Sequence, residues 1–111
     1  MARAARDAGA DGVTLINTMP GAAFDDGRPR VGQGFGGVSG PALLPVGLLA
    51  VRRTAAALPD LPIIAVGGVS TAEHVRDYLA AGAVLVAIGT AALADPRLPE
   101  RLVNALEQLD G

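Results

Sequence analysis

Ile63-Ile64-Ala65-Val66-Gly67-Gly68-Val69-Ser70 is the stretch that decides how this chain folds. A short apolar run closed by glycine reads as a buried strand. The residues after the glycine pair read as a helix start: Ser70 or Thr71 can cap it, and Glu73 favours its first turn. Val75, Tyr78 and Leu79 form the predicted inner face of that helix, and Gly82 ends it. The same device recurs downstream. Val84 to Ile88 is a strand closed by Gly89-Thr90, Ala91 to Asp95 has room for one helical turn, and a helix runs from about Pro96 to Leu109. Leu98, Leu102, Leu106 and Leu109 lie along one side of that last helix.

Upstream of the deciding stretch, Pro41 can open a helix reaching about Leu58. Leu44, Leu48, Val51, Ala55 and Leu58 recur at steps of four and three and give one apolar stripe, with Arg52 and Arg53 facing outward. Val13 to Asn17 is a further strand. The segment from Thr18 to about Gly40 is polar and glycine-rich and reads as a long loop, a kind that is usually functional or disordered. Ala2 to Ala10 reads as the last turns of a helix with Gly9 as its cap. A chain that opens on the end of an element is expected to be a piece of something longer. The order is helix end, strand, long loop, then α, β, α, β, α. Such alternation implies parallel strands joined by crossovers. Three strands alone would leave both outer edges unpaired.

Composition narrows the function classes. The chain has 111 residues, half of them hydrophobic, with 15 glycines and a net charge of -2. That is room for one small domain. All nine basic residues are arginine, they are scattered, and no nucleic-acid footprint is present. Without cysteine there is no disulfide, thiolate nucleophile or cysteine-based metal site. No apolar stretch approaches the roughly 20 residues of a membrane span, and Met1 to Ala10 has no signal-peptide pattern. A cytoplasmic location is the expectation.

The candidate site follows from the two glycine-closed strands. Small residues at Gly67-Gly68 and Gly89-Thr90 allow backbone N–H groups to approach an anion, and a helix N-terminus beside each adds a favourable dipole. In (β/α)8 barrels phosphates often sit at the loops after the last two strands. Taken singly, either glycine motif is also explained as a plain turn. Asn17-Thr18 follows the first strand, where a barrel would place them in its active-site mouth. An asparagine there suits a planar imide or carboxylate, or is simply a strand-end turn residue. His74, the sole histidine, is expected to face solvent. Asp25 and Asp26 read as a turn with Gly27.

Four stretches, Leu15-Ile16-Asn17-Thr18-Met19-Pro20-Gly21, Gly36-Gly37-Val38-Ser39-Gly40-Pro41, the deciding stretch itself, and Ile88-Gly89-Thr90, occur in an order and spacing that resemble class 1 dihydroorotate dehydrogenases throughout the chain. Val38 stands where leucine is commoner in the second motif. The resemblance implies an α/β fold: the C-terminal portion, about strands 6 to 8 with their helices, of a (β/α)8 TIM barrel. Residues 1–111 would form a partial FMN-binding barrel, a single domain. Carried over residue by residue, the flavin contacts fall on Ile16, Gly40, Gly67, Gly68, Gly89 and Thr90, and the orotate contacts on Asn17 and Thr18. The implied reaction is FMN-dependent oxidation of dihydroorotate to orotate in pyrimidine biosynthesis.

The resemblance also implies gaps. The family's Cys or Ser base lies in an earlier part of the barrel, and its flavin-contacting lysine has no counterpart in a chain without lysine. No catalytic residue is therefore assigned, and the isolated chain is expected to be inactive. The expected partners are dihydroorotate or orotate and the remainder of the barrel or a partner chain, in an enzyme that is a homo-oligomer when complete. Neither nucleic acid, membrane nor metal is expected. Two alternatives accompany this reading: a non-catalytic FMN- or phosphate-binding partial barrel completed by another chain, and a fragment of a dihydropyrimidine dehydrogenase-like enzyme.

Overall fold

Apolar runs closed by glycine build a parallel sheet in the computed structural model, which describes residues 1–110. Helix α1 (Ala2–Asp7) leads to strand β1 (Val13–Leu15). Strands β2 (Met19–Gly21), β3 (Phe24–Asp25), β4 (Arg28–Pro29) and β5 (Gly36–Val38) follow. A 3-10 turn (Pro41–Leu43) opens α2 (Leu44–Ala57), and then come β6 (Ile63–Val66), α3 (Ala72–Ala81), β7 (Leu85–Ala87), α4 (Thr90–Ala94) and α5 (Leu98–Asp110). The main sheet has the order β1-β6-β7 and is parallel throughout, with Thr14 opposite Ile64 and Ile64 opposite Leu85.

The segment from Thr18 to Gly40 is more ordered than its sequence suggests. β2 pairs antiparallel with β5, and β3 with β4 inside it. Asp26 (φ 50) and Gly27 (φ 76) make the two-residue connection between β3 and β4, both in the positive-φ region that a tight hairpin demands. Met19-Pro20-Gly21 and Gly36-Gly37-Val38 carry no hydrophobic alternation because neither strand covers a core. Backbone pairing holds them, and sequence periodicity does not report it.

The helices cover one face of the sheet. Ile63 and Ala65 point into a cluster with Val51, Val69, Val75, Tyr78, Ala83 and Leu102, and Val13, Leu15 and Val86 pack at its margin. Strand alternation sends Thr14, Ile64, Val66, Leu85 and Ala87 to the opposite face. That face has no covering layer among the described residues, and Leu85 is 60% exposed. The shape agrees with a one-sided sandwich. The radius of gyration is 15.9 Å and the thinnest extent 19 Å, whereas a compact domain of this length has a radius near 13 Å.

Two predicted core positions differ. Leu79 is exposed because Tyr78 occupies the centre of the inner face of α3, which turns the next residue about 100° away. Leu109 is exposed because it lies in the last turn of α5, beyond the reach of the core cluster. The start of α5 is tied down by Arg101, which donates to the Asp95 carboxylate. This hydrogen bond is the main reason the Asp95 carboxyl is held below its usual range. Ile63, at the sheet centre, is fully buried. Ile63→Ala is expected to lower the unfolding free energy by about 2–5 kcal/mol, read from the denaturant midpoint.

Candidate functional site

The C-terminal ends of β1, β6 and β7 open on the same side of the sheet, as parallel strands require, and a cleft of about 390 Å³ lies there. Seven of the eight residues nominated from sequence line it: Ile16, Thr18, Gly40, Gly67, Gly68, Gly89 and Thr90. The ribbon of β2 and β5 delivers Ser39 and Gly40 to the rim, and the 3-10 turn closes one side with Pro41 and Leu43. The eighth, Asn17, is not among the lining residues. It is exposed, and its side-chain oxygen accepts the N–H of Thr18 at 2.8 Å.

Gly67 and Gly68 form the floor in a conformation open only to glycine, with φ of +131 and +76. A Cβ on Gly68 would lie 2.6 Å from the backbone nitrogen of Leu44 and 2.9 Å from its Cβ. The loop therefore presses directly on the start of α2. From the core side, the buried Tyr78 hydroxyl donates to the carbonyl of Gly67 at 2.7 Å. Burial raises the Tyr78 pKa above the ordinary tyrosine value, so the hydroxyl keeps the proton it donates. Gly47 in α2 makes room for it, because a Cβ there would collide with the Tyr78 oxygen. Sequence reasoning placed Tyr78 in the core but missed this contact. The available signal was general: a buried tyrosine hydroxyl needs a partner.

Helix α3 starts at the same loop. Thr71 is its N-cap, its hydroxyl accepting the N–H of His74 at 3.2 Å. The His74 Nδ1 in turn accepts the N–H of Ser70 at 3.2 Å. The two bonds differ from a capping box in that His74 reaches past the N-cap to the residue before it. His74 is accordingly half-buried and bonded, not solvent-facing, because its ring turns back over the first turn of the helix. At the other end of the cleft, the carbonyl of Gly89 accepts from Ala92 and Leu93, which starts α4 with Thr90 and Ala91 at the cleft wall.

The chemistry available is therefore backbone N–H groups, four hydroxyls (Thr18, Ser39, Ser70, Thr90) and apolar surface. Among the described residues, no ionisable side chain lines the cleft and no cluster of His, Asp or Glu is placed to hold a metal. Such a lining binds and orients but supplies no proton acceptor of its own.

Comparison with known proteins gives a consistent result. A sequence model described as dihydroorotate dehydrogenase matches residues 1–109. The chain is 44% identical over 108 residues to a putative dihydroorotate dehydrogenase A (fumarate) of Solibacter usitatus, covering 96% of this chain and 35% of that protein. It is 46% identical over 111 residues to the dihydroorotate dehydrogenase B (NAD(+)) catalytic subunit of Bacillus caldolyticus, covering 98% and 35%. With the corresponding subunit of Cutibacterium acnes the identity is 40% over 111 residues, covering 98% and 36%. The chain thus spans about a third of the length of the curated relatives it matches. With the family model matching nearly every residue, the chain belongs to the dihydroorotate dehydrogenase family.

Proposed function

We propose that this chain is the C-terminal portion of an FMN-dependent enzyme that oxidises dihydroorotate to orotate in pyrimidine biosynthesis, with β1, β6 and β7 as strands 6 to 8 of a (β/α)8 barrel. The observation that carries this reading is the convergence of Ile16, Thr18, Gly40, Gly67, Gly68, Gly89 and Thr90 on one cleft at the strand C-termini. The bare apolar face bearing Ile64 and Leu85 supports the barrel, since barrel interiors are filled by side chains from all the strands.

The residues fit FMN. Gly67 and Gly68 bring bare backbone to the cleft wall, and Gly68 packs so closely on Leu44 that no side chain fits there. N–H groups of Gly67-Gly68 and Gly89-Thr90 hold the phosphate, with the Thr90 hydroxyl as a further donor. Ile16 and Gly40 border the rest of the cofactor. Asn17 and Thr18 take the polar edge of dihydroorotate or orotate, for which the Asn17 side chain exchanges its local bond to Thr18 for the substrate. When bound, FMN supplies the two-electron acceptor for the oxidation. The proton leaving the substrate needs a base from outside this segment: no carboxylate or imidazole lines the cleft, and its serines, Ser39 and Ser70, belong to motifs other than the family's base loop. The remainder of the barrel or a partner chain brings that base and covers the bare face. No helix among the described residues is long and apolar enough to cross a membrane. We place the enzyme in the cytoplasm as a homo-oligomer.

The test uses the full-length polypeptide. Purified protein is expected to take up FMN and to turn over dihydroorotate in preference to dihydrouracil. A preference for dihydrouracil would move the chain to the dihydropyrimidine dehydrogenase-like reading. Uptake of FMN with neither substrate oxidised would leave a binding module, and failure to take up FMN would remove the cofactor assignment.

A further inference from the structure

We infer that Tyr78 is a positioning residue for anion binding, holding the Gly67-Gly68 peptide in the one orientation that presents the N–H of Gly68 to the cleft. The Gly67 carbonyl and the Gly68 N–H belong to the same planar group and, because this bond is trans, point in opposite directions. Two successive glycines give that unit little intrinsic preference, since each populates both signs of φ. A flip would exchange donor for acceptor at the cleft wall and set a carbonyl oxygen against an anionic ligand.

Tyr78 removes that freedom. Its ring is fully buried in the core cluster and is not among the residues that line the cleft. Its hydroxyl fixes the Gly67 carbonyl inward at 2.7 Å. The partner N–H is thereby directed outward, where both glycines line the cleft. The arrangement spans three elements: α3 supplies the hydroxyl, the loop after β6 receives it, and Gly47 of α2 leaves the space it occupies.

This inference rests on the phosphate reading of the cleft, and the experiment separates the two. Affinities for FMN and for riboflavin, which lacks the phosphate, are measured by flavin fluorescence on the full-length protein and on Tyr78→Phe. In the unaltered protein FMN is expected to bind more tightly than riboflavin. In Tyr78→Phe the FMN dissociation constant is expected to rise roughly tenfold, the scale of one hydrogen bond to a charged group, with riboflavin binding changed less than about twofold. A second variant, Tyr78→Phe combined with Gly47→Ala, fills the space left by the hydroxyl without restoring the hydrogen bond. It is expected to recover thermal stability while keeping the weakened FMN affinity. If the double variant regains FMN affinity, or if Tyr78→Phe keeps the full preference for FMN, Tyr78 acts by packing alone and the inference is overturned. If the unaltered protein binds FMN and riboflavin equally, the phosphate reading itself fails and the role of Tyr78 falls with it.

Discussion

With alanine at position 68, full-length protein is expected to lose FMN on gel filtration and to unfold with roughly 2–4 kcal/mol less free energy. Two costs combine. The backbone at Gly68 has φ +76, where a side chain is strained, and the added Cβ would lie 2.6 Å from the Leu44 backbone nitrogen. Leu44 begins α2 and cannot yield as a flexible side chain would. Relief requires moving the loop, and the same movement displaces the N–H groups assigned to the phosphate. Gly89→Ala is the matched control for stability. Its backbone (φ -108, ψ -93) lies outside the standard helical region, but a Cβ there meets nothing within 4 Å, so the loss is expected to be smaller than for Gly68→Ala. Flavin content and denaturant midpoints read both variants. A Gly68→Ala protein that keeps its FMN and its midpoint would show that this loop is not where the cofactor sits.

Expressed alone, residues 1–111 are expected to oxidise dihydroorotate at least about four orders of magnitude more slowly than the full-length enzyme. The cleft offers hydroxyls, backbone and apolar walls, but no carboxylate or imidazole to take the substrate proton or to activate a serine. The face carrying Ile64 and Leu85 is also open to water, so a substrate held there would be neither enclosed nor oriented from its far side. The measurement is dye reduction with dihydroorotate as donor, at matched flavin occupancy. Turnover by the short chain above that level would locate the base within this segment and undo the division of labour proposed for it.

What sequence reading captured, and what it missed, divides along physical lines. β6 and β7 were legible because apolar runs closed by glycine leave a local mark, and α2 because its stripe repeats at helical spacing. The ribbon of β2 and β5 left no such mark, since backbone pairing between Met19-Pro20-Gly21 and Gly36-Gly37-Val38 depends little on side-chain type. The cleft lining was legible through its glycines and Thr90. Tyr78 was not, because its partner is a backbone carbonyl 11 residues earlier and its space comes from Gly47 on another helix. That complementarity exists only once the chain has folded. His74 reads as solvent-facing, but its ring nitrogen is taken by the N–H of Ser70, four residues earlier. Asn17 was read toward the ligand, and the structure turns it back to Thr18.

The sheet order β1-β6-β7 also dictates a schedule. Ile64 meets Leu85 across 21 residues of chain, whereas Val13 meets Ile63 across 50. The shorter closure costs less entropy, by somewhat under 1 kcal/mol, so the β6-α3-β7 unit is the natural nucleus and β1 joins it later. On the ribosome the delay is longer than this difference suggests. At about 5–20 residues per second, β1 spends several seconds outside the exit tunnel before β6 is available to it. Within this segment, Val13 and Leu15 wait that long for the cluster around Ile63 and Ala65 that they pack against.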